Sequence, residues 1–412
     1  MRPARGPLLA VLVLAAAGLA GCGKGGSEQL GGGPARKLGP VAAQGAVSVA
    51  TRNTTRLGGS DAAADAAAVA RAVYPGLTAA TRPLAVVLVD EHDWLPALVA
   101  SVLAGAPTSA PILFSEGDTL PAVSRETLEA MHPLGAPSIG GAQVIRIGST
   151  APVPAGYLAR TVRVGVPTVT AAGVEQLALT LDGTSAPRQV IVLPAAAAPA
   201  LAMPAAGLAA ESGAPILLVT PARVPAPTAT VLLGLHQPSI YVIDAAAIGH
   251  HALDELRHFG TVKTITVGGV APSGTTASGE EAVSNAIEVA RFTDGTFGWG
   301  VKEPGHGLVF ANAARPLDAP ASALLSATGD YGPLLLLASA SQVAPALGGY
   351  LSDIEPAYST PQFPPVRGAY NHGWLIGGEA AISAVTQAEI DSMLEIRPQA
   401  HTSEESSVSQ VE

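Results

Sequence analysis

The stretch Ala110-Pro111-Ile112-Leu113 recurs as Ala214-Pro215-Ile216-Leu217 and, more weakly, as Gly332-Pro333-Leu334-Leu335. The copies are about a hundred residues apart, which is the size of a small domain. Recurrence at such a spacing is the mark of a repeat architecture. The sequence therefore predicts three copies of one structural unit.

A short run rich in β-branched residues or Leu precedes each copy, and an Ala-rich segment of helical length separates the run from the copy. These runs are Val86–Val89, Val190–Leu193 and Leu308–Phe310. Further strand-like runs follow at Val144–Gly148, Ile240–Ile243 and Trp374–Gly378. Short strands that are apolar throughout are typical of parallel sheets covered on both faces. The predicted fold class is therefore α/β, with short parallel sheets in doubly wound layers.

Helix starts and loops divide the chain further. Ser278-x-x-Glu281 and Thr386-x-x-Glu389 fit the capping box, and Ser60 precedes Asp61 and an Ala-rich helix. The predicted division is a signal peptide at 1–21, a lipidated Cys and flexible tether at 22–50, repeat modules at 51–160, 161–260 and 261–396, and a disordered acidic tail at 397–412.

The composition excludes several classes of protein. The chain has 412 residues, of which 48% are hydrophobic and only 13% are charged, so a large core is expected. The formal net charge of −10 argues against a nucleic-acid partner, because that binding depends on Lys and Arg at phosphates. A single Cys excludes a disulfide within the chain and a Cys-based zinc site.

The amino-terminal segment is typical of an exported lipoprotein. Arg2 and Arg5 precede an uncharged stretch that is too short to span a bilayer comfortably but suits a signal peptide. It ends at Leu19-Ala20-Gly21-Cys22, which resembles a bacterial lipobox. The resemblance implies that Cys22 carries a lipid and holds the protein on a membrane, facing the cell wall or the cell surface. The alternative is a buried free Cys near an ordinary cleavage site.

The repeated unit resembles the cell wall-binding repeat of type 2, which occurs in tandem copies on Gram-positive surface proteins. Its opening pattern fits Arg56-Leu57-Gly58-Gly59-Ser60-Asp61, and its later Asp-Ala pair fits Asp318-Ala319. Its Pro-apolar element fits the stretches at Pro111, Pro215 and Pro333. In the first copy Pro96 replaces the family's Asp, although Trp94 matches its aromatic residue.

The resemblance implies three Rossmann-like modules in a pseudo-threefold arrangement, no catalysis, no cofactor, and noncovalent binding to an anionic secondary polymer of the cell wall. It makes Arg56, Asp318 and the three prolines candidate ligand contacts. For the prolines, buried strand starts are the alternative, and for Asp318 it is a cap on the following helix. The negative net charge argues against a broad field that attracts a polyanion.

Asp90-Glu91-His92-Asp93-Trp94 is the densest polar cluster, and it follows a predicted strand. Ligands of α/β sheets bind at the carboxyl ends of strands, so Asp90, His92, Asp93 and Trp94 are candidate ligand contacts. Carboxylates with a His also suit a divalent cation. The alternative is a solvated turn in which Asp93 caps the next helix.

Other polar residues have ordinary alternatives. His251, Glu255 and His258 share one face of a predicted helix, which allows a metal site but equally an exposed helix face. Trp299 and His372 lie near Gly-rich turns. Exposed aromatic residues stack on sugars, whereas buried packing is the commoner state of Trp.

The sequence contains no G-x-S-x-G, H-E-x-x-H, G-x-G-x-x-G or Walker motif. The predicted function is therefore that of a nonenzymatic surface lipoprotein that binds cell-wall polymer or glycan through its three repeats. The alternatives are a small-ligand-binding lipoprotein of the transport type, which normally has two lobes, and an enzyme acting on wall glycan, which requires paired carboxylates in a cleft.

Overall fold

The structure, a computed structural model, describes residues 46–162, 165–183, 186–267, 277–327, 332–358 and 370–398. The predicted signal peptide, Cys22, most of the predicted tether and most of the acidic tail lie outside these ranges. Within them, no helix combines the length and the apolar character that a bilayer span requires.

Strands and helices alternate along the described chain. The strands are β1 (Ala46–Ala50), β2 (Thr54–Gly58), β3 (Val86–Asp90), β4 (Ile112–Ser115), β5 (Val144–Ile147), β6 (Ala159–Val162), β7 (Gln189–Pro194), β8 (Ile216–Val219), β9 (Ser239–Val242), β10 (Thr261–Thr264), β11 (Gly307–Asn312), β12 (Leu334–Leu337), β13 (Ala357–Tyr358), β14 (His372–Ile376) and β15 (Arg397–Pro398). The helices are α1 (Ala62–Val73), α2 (Trp94–Ala100), α3 (Ala122–Met131), α4 (Pro167–Asp182), α5 (Pro199–Ala202), α6 (Ala205–Ser212), α7 (Ala226–Gly234), α8 (His250–Phe259), α9 (Gly279–Arg291), α10 (Asp318–Ala327), α11 (Pro345–Asp353) and α12 (Ala384–Met393).

Three parallel sheets form the framework, which confirms the predicted fold class. Their strand orders are β4-β3-β5-β6, β8-β7-β9-β10 and β12-β11-β14-β2. Within each of these series, neighbouring strands are parallel. Each sheet with its covering helices is one Rossmann-like module, and the three are called modules 1, 2 and 3 below.

The fourth strand of module 3 comes from the start of the described chain. Strand β2 pairs in parallel with β14, with Thr54 opposite Gly373 and Leu57 opposite Ile376. Likewise β6 completes the sheet of module 1 and β10 completes that of module 2. The predicted boundaries placed β2 in module 1 and β10 in module 3, and the structure corrects both. Each fourth strand completes the sheet of one module, and the helix that follows it packs on the sheet of the next module.

Two predicted flexible segments contain short strands at their inner ends. Ala46–Ala50, predicted as tether, forms β1 and pairs in an antiparallel manner with β2. Arg397–Pro398, at the start of the predicted tail, pairs with Ala357–Tyr358. Strand β1 thereby covers the backbone groups that β2 would otherwise expose at the edge of its sheet.

The Pro of each repeated stretch lies at the start of a strand rather than at the surface. Pro111, Pro215 and Pro333 are buried. Their carbonyl oxygens accept hydrogen bonds of 2.9, 2.9 and 3.1 Å from the first strand of each module, at Val87, Ile191 and Val309 respectively. A Pro is tolerated as the residue that opens a strand. The three prolines are therefore structural, which corrects their prediction as ligand contacts.

A continuous core joins the modules. The inner faces of all three sheets contribute to one apolar cluster, with Leu88, Leu193 and Val309 among its members. At the centre α2, α6 and α10 pack against one another, which gives the pseudo-threefold arrangement. Close packing there depends on small residues: a Cβ at Gly105 would lie 1.8 Å from the carbonyl oxygen of Ala210.

Helix caps follow the predicted residue types, with one shift in position. Asp61 caps α1 through Ala64 N, and Ser278 with Glu281 forms a capping box on α9. The box predicted at Thr386 is wrong, because α12 begins earlier and Ser383 is its cap.

Candidate functional site

The loop from Asp90 to Trp94 connects β3 to α2 at the carboxyl end of the module 1 sheet. Oδ1 of Asp90 accepts hydrogen bonds from Gly117 N at 3.1 Å, from His92 N at 3.2 Å and from His92 Nδ1 at 2.8 Å. Asp93 caps α2 by accepting a bond from Leu95 N at 3.2 Å, as its structural alternative predicted. The loop is therefore held in shape by its own carboxylates.

The hydrogen bond between Asp90 and His92 shifts the pKa of both residues. Burial of the Asp90 carboxyl disfavours ionisation, but the hydrogen bonds from His92 and Gly117 outweigh it and lower the pKa of Asp90. The same bond with Asp90 raises the pKa of His92. The His92 side chain is 65% exposed. A partly positive imidazole therefore faces solvent beside Trp94.

A buried ion cluster lies across the junction from this loop. Arg315 Nε is 2.8 Å from Oδ2 of Asp318, and the same guanidinium pairs with Oδ2 of Asp65. Asp65 also accepts a 2.6 Å hydrogen bond from Gly59 N. Both carboxyl side chains are almost fully buried, while that of Arg315 is 27% exposed. One cation therefore serves two buried acids, from α1 and from α10.

The environment of this cluster favours protonation of its acids. Burial raises the pKa of Asp318 to about 7, with the Arg315 charge opposing the change. Burial also raises the pKa of Asp65. Asp318 is thus held inside the fold by Arg315; its role is structural, but through this ion pair rather than through the predicted helix cap.

A cleft of about 340 Å³ brings these two groups together. Glu91, His92 and Trp94 of module 1 form one side, and Arg315 and Asp318 of module 3 form the other. We call it the 3/1 cleft. It joins three of the residues predicted from sequence with Arg315, which the sequence did not single out. The arrangement offers an aromatic face, the acceptor oxygens of Glu91, the imidazole of His92, and the exposed part of Arg315, whose charge Asp65 and Asp318 already share.

The other two junctions carry different chemistry. The cavity between modules 2 and 3 occupies the corresponding position, about 390 Å³ in volume, but Ala198, Ala200, Ala313 and Ala314 line much of it. Between modules 1 and 2, Asp90 and Asp93 face a cavity of about 200 Å³ beside the start of α4. The Asp90–Trp94 loop therefore borders two junctions.

Arg56, predicted as a ligand contact, is an internal residue. It is 2% exposed. Its guanidinium donates to Oε1 of Gln387 at 3.0 Å and to the carbonyl oxygens of Gly377 and Gly378 at 2.9 and 3.0 Å. Burial and these bonds leave no face for a ligand, so Arg56 instead joins β2 to the segment after β14.

The remaining candidates have ordinary surroundings. His251 Nε2 lies 3.1 Å from Glu255 Oε1 on α8, and the other oxygen of Glu255 accepts a 2.7 Å bond from Val224 N. In the described part of the chain, no group of three or more His, Cys, Asp or Glu side chains is placed to hold a metal ion.

The aromatic candidates outside the 3/1 cleft pack against other parts of the protein. Trp299 packs against the core, and its buried Nε1 lacks a hydrogen-bond partner among the described residues. His372 packs edge to face on Trp374, with the two ring centres 4.9 Å apart.

Comparison with solved structures places the fold among known proteins. Cwp6 from Clostridium difficile is similar over 83% of this chain and 48% of its own length, with a TM-score of 0.62 and 16% identity. Cwp8 from Clostridium difficile is similar over 84% and 53%, with a TM-score of 0.60 and 16% identity. This chain thus spans about half the length of each.

Comparison of the amino-acid sequence with protein families and with curated proteins identifies no relative. No protein-family model matches the chain, and no curated protein matches it. The likeness to the two solved structures therefore concerns the fold.

Proposed function

We propose that this protein is a nonenzymatic, cell-surface lipoprotein that binds a cell-wall polymer or glycan in the 3/1 cleft. The observation that carries the proposal is the meeting of Trp94 and His92 with Arg315 in one cleft between two modules. The fold likeness to two Clostridium difficile cell wall proteins supports the same setting.

The chemistry of the cleft suits a sugar polymer with acidic groups. The Trp94 ring offers a flat apolar face for a sugar ring. His92 offers a donor for phosphate or carboxylate oxygens, and the exposed part of Arg315, whose charge Asp65 and Asp318 already share, adds N–H donors. Because the net charge of the chain is −10, attraction of a polyanion rests on these local groups rather than on the whole surface.

The proposal that the protein is not an enzyme rests on the arrangement of the carboxyl groups in the 3/1 cleft. Glycoside hydrolysis needs two carboxyl groups that face the bond to be cleaved. Here Asp318 is buried and bound to Arg315, so among the described lining residues of module 3 Glu91 has no free carboxyl partner. The transport-type alternative expects two lobes, whereas three modules here share one core.

Membrane attachment is the second part of the proposal and rests on the lipobox-like sequence at Cys22. Radiolabelled palmitate incorporated by the wild-type chain, and absent from Cys22→Ser, is the expected result. Equal labelling of both chains would contradict lipidation at this residue.

Cosedimentation tests wall binding. The soluble chain from residue 45 onward is spun with purified cell walls before and after acid extraction of the secondary polymers. Binding that disappears after extraction is expected, with a loss at high salt because charged groups contribute. Absence of binding to either wall preparation would contradict the proposal.

Two variants assign the binding to the 3/1 cleft. His92→Ala removes a charged donor, and Trp94→Leu keeps an apolar side chain but removes the aromatic face. Both are expected to weaken wall binding several-fold with unchanged thermal stability. The matched control is His251→Ala, an exposed His in module 2, which is expected to bind normally. Equal losses in all three variants would place the contact elsewhere.

A further inference from the structure

Glu175 is a buried acid whose side chain has no partner among the described residues. It lies on α4, is 2% exposed, and its buried Oε1 accepts no hydrogen bond from that part of the chain. Its side chain makes no ion pair in the described part of the chain. Buried polar groups in proteins are almost always paired, so this exception requires an explanation. Burial raises the pKa of Glu175 to about 7.

The Glu175 side chain lines a cavity of about 300 Å³ between modules 1 and 2. One wall is the face of α4 that carries Glu175, Leu179 and Asp182. The turn that contains Val102 and Pro107 forms the opposite wall, and Gln189 closes a third side. The cavity lies near the amino ends of β7 and β8, so it is separate from the 3/1 cleft, which lies beside the carboxyl ends of β3 and β11.

The charged residues that line this cavity are acidic, and one basic residue, Arg188, lies between the lining residues Pro187 and Gln189. Among the described residues that line it, the charged ones are Glu175 and Asp182. Glu211, just before the lining residue Ser212 on α6, is also acidic, and burial raises its pKa. An anionic ligand is therefore disfavoured. A metal ion is disfavoured as well, because hard cations take six or more oxygen ligands and this wall supplies few.

We propose that this cavity binds a primary alkylammonium group, with the nitrogen at Glu175 and the carbon chain against the apolar wall. An ammonium has three donors, which match the carboxylate oxygens and the Gln189 amide oxygen. Val102, Leu179 and Pro107 provide apolar surface for the methylene chain. Such a group occurs on free amines and on lysine-like side chains of peptides.

Isothermal titration calorimetry with two amines tests the site. 1,5-Diaminopentane and Nα-acetyl-lysine amide are titrated into the full chain in nonionic detergent at pH 8 and pH 6. Binding of at least one is expected at pH 8, and about tenfold weaker binding at pH 6, because the carboxylate titrates between these values while the amine stays protonated. Binding of acetyl-lysine amide would indicate a peptide ligand, and binding of the diamine alone would indicate a free amine.

Variants separate the carboxylate from the cavity itself. Glu175→Gln removes the charge, keeps the shape, and is expected to lose at least tenfold in affinity together with the pH dependence. Asp182→Asn is expected to weaken the diamine more than acetyl-lysine amide, because the diamine has a second ammonium. Glu126→Gln, an exposed acid on α3, is the matched control and is expected to bind like wild type.

The proposal is overturned by any of three results. These are no heat from either amine at pH 8, equal affinity in Glu175→Gln and wild type, and equal binding of uncharged 1-pentanol. None of them bears on wall binding in the 3/1 cleft, so the two proposals fail independently.

Discussion

The guanidinium Nε of Arg56 donates a 3.0 Å hydrogen bond to Oε1 of Gln387, which lies 331 residues further along the chain. The two residues belong to β2 and α12, so the bond connects the first described segment to the last helix. Arg52 and Glu395 form a second connection between the same regions, a 2.8 Å ion pair in which Arg52 is 72% exposed. The bond of Arg56 is buried, whereas the ion pair of Arg52 is exposed.

We predict that Arg56→Leu destabilises the protein by about 3 kcal/mol, because it leaves the carbonyl oxygen of Gly377 and Oε1 of Gln387 buried without donors. The matched control Arg52→Leu removes the exposed pair and is expected to cost less than about 1 kcal/mol. Urea unfolding of both variants measures the difference. Equal costs would show that burial does not set the strength of this connection.

The Arg315 cluster predicts that replacing Arg315 lowers the stability of the protein by an amount that depends on pH. Arg315→Met leaves Asp65 and Asp318 buried without a cation, and such a change costs about 3 kcal/mol when the acids are charged. At pH 8 the full loss is expected. At pH 5 the loss is smaller, because Asp318, with a pKa of about 7, is protonated. Urea unfolding at the two pH values tests this, with the exposed Arg257→Met as control. An equal loss of stability at pH 8 and at pH 5 would contradict the prediction.

Glu175 predicts a variant that is more stable than wild type. Its pKa rises from 4.5 to about 7 in the folded chain, so the folded state binds the proton more tightly than the unfolded state. The free energy of unfolding therefore falls as the pH rises from about 4 to 7. Glu175→Gln removes this pH dependence. Its free energy of unfolding is expected to exceed that of wild type by up to about 3 kcal/mol at pH 8 and by little at pH 4.

Thermal unfolding across this pH range, with Glu126→Gln as control, measures the effect. A Glu175→Gln profile parallel to that of wild type would mean that Glu175 is paired in solution.

Close packing at the centre predicts a large effect from one methyl group. Gly105→Ala places a Cβ 1.8 Å from the Ala210 carbonyl oxygen, so α6 must move. We expect a loss of about 2 kcal/mol. Gly349→Ala on α11 is the control: its Cβ meets nothing within 4 Å, and a gain of up to about 1 kcal/mol is expected. Urea unfolding distinguishes the two, and similar effects would contradict the packing argument.

The repeated apolar runs were enough to predict three strands of each module, because those strands are buried on both faces. The fourth strands were harder to predict. Strands β6 and β10 are mostly exposed and partly polar, so they lack that pattern. The pairing of β2 with β14 depends on the arrangement of distant modules, which no local pattern encodes.

The candidate site was likewise predictable where the signal was local and not where it depended on distant residues. The Asp90–Trp94 loop was predicted from its place after a strand, and it does line the 3/1 cleft. Arg315 has no local pattern that separates it from a surface Arg. Its importance follows from two acids in different helices, one of them 250 residues away. For Arg56 the family resemblance suggested a ligand contact, and the burial that rules this out was visible only in the structure.

The partnership of β2 with β14 also affects the order in which the molecule assembles. A ribosome delivers β2 long before β14, and modules otherwise fold as they emerge. Strand β2 therefore waits without its parallel neighbour until modules 1 and 2 and most of module 3 have been synthesised. Because contacts between such distant segments form slowly, closure of the module 3 sheet is expected to be the last step of folding. Until that moment the nascent chain exposes an open strand edge, which is a site of self-association.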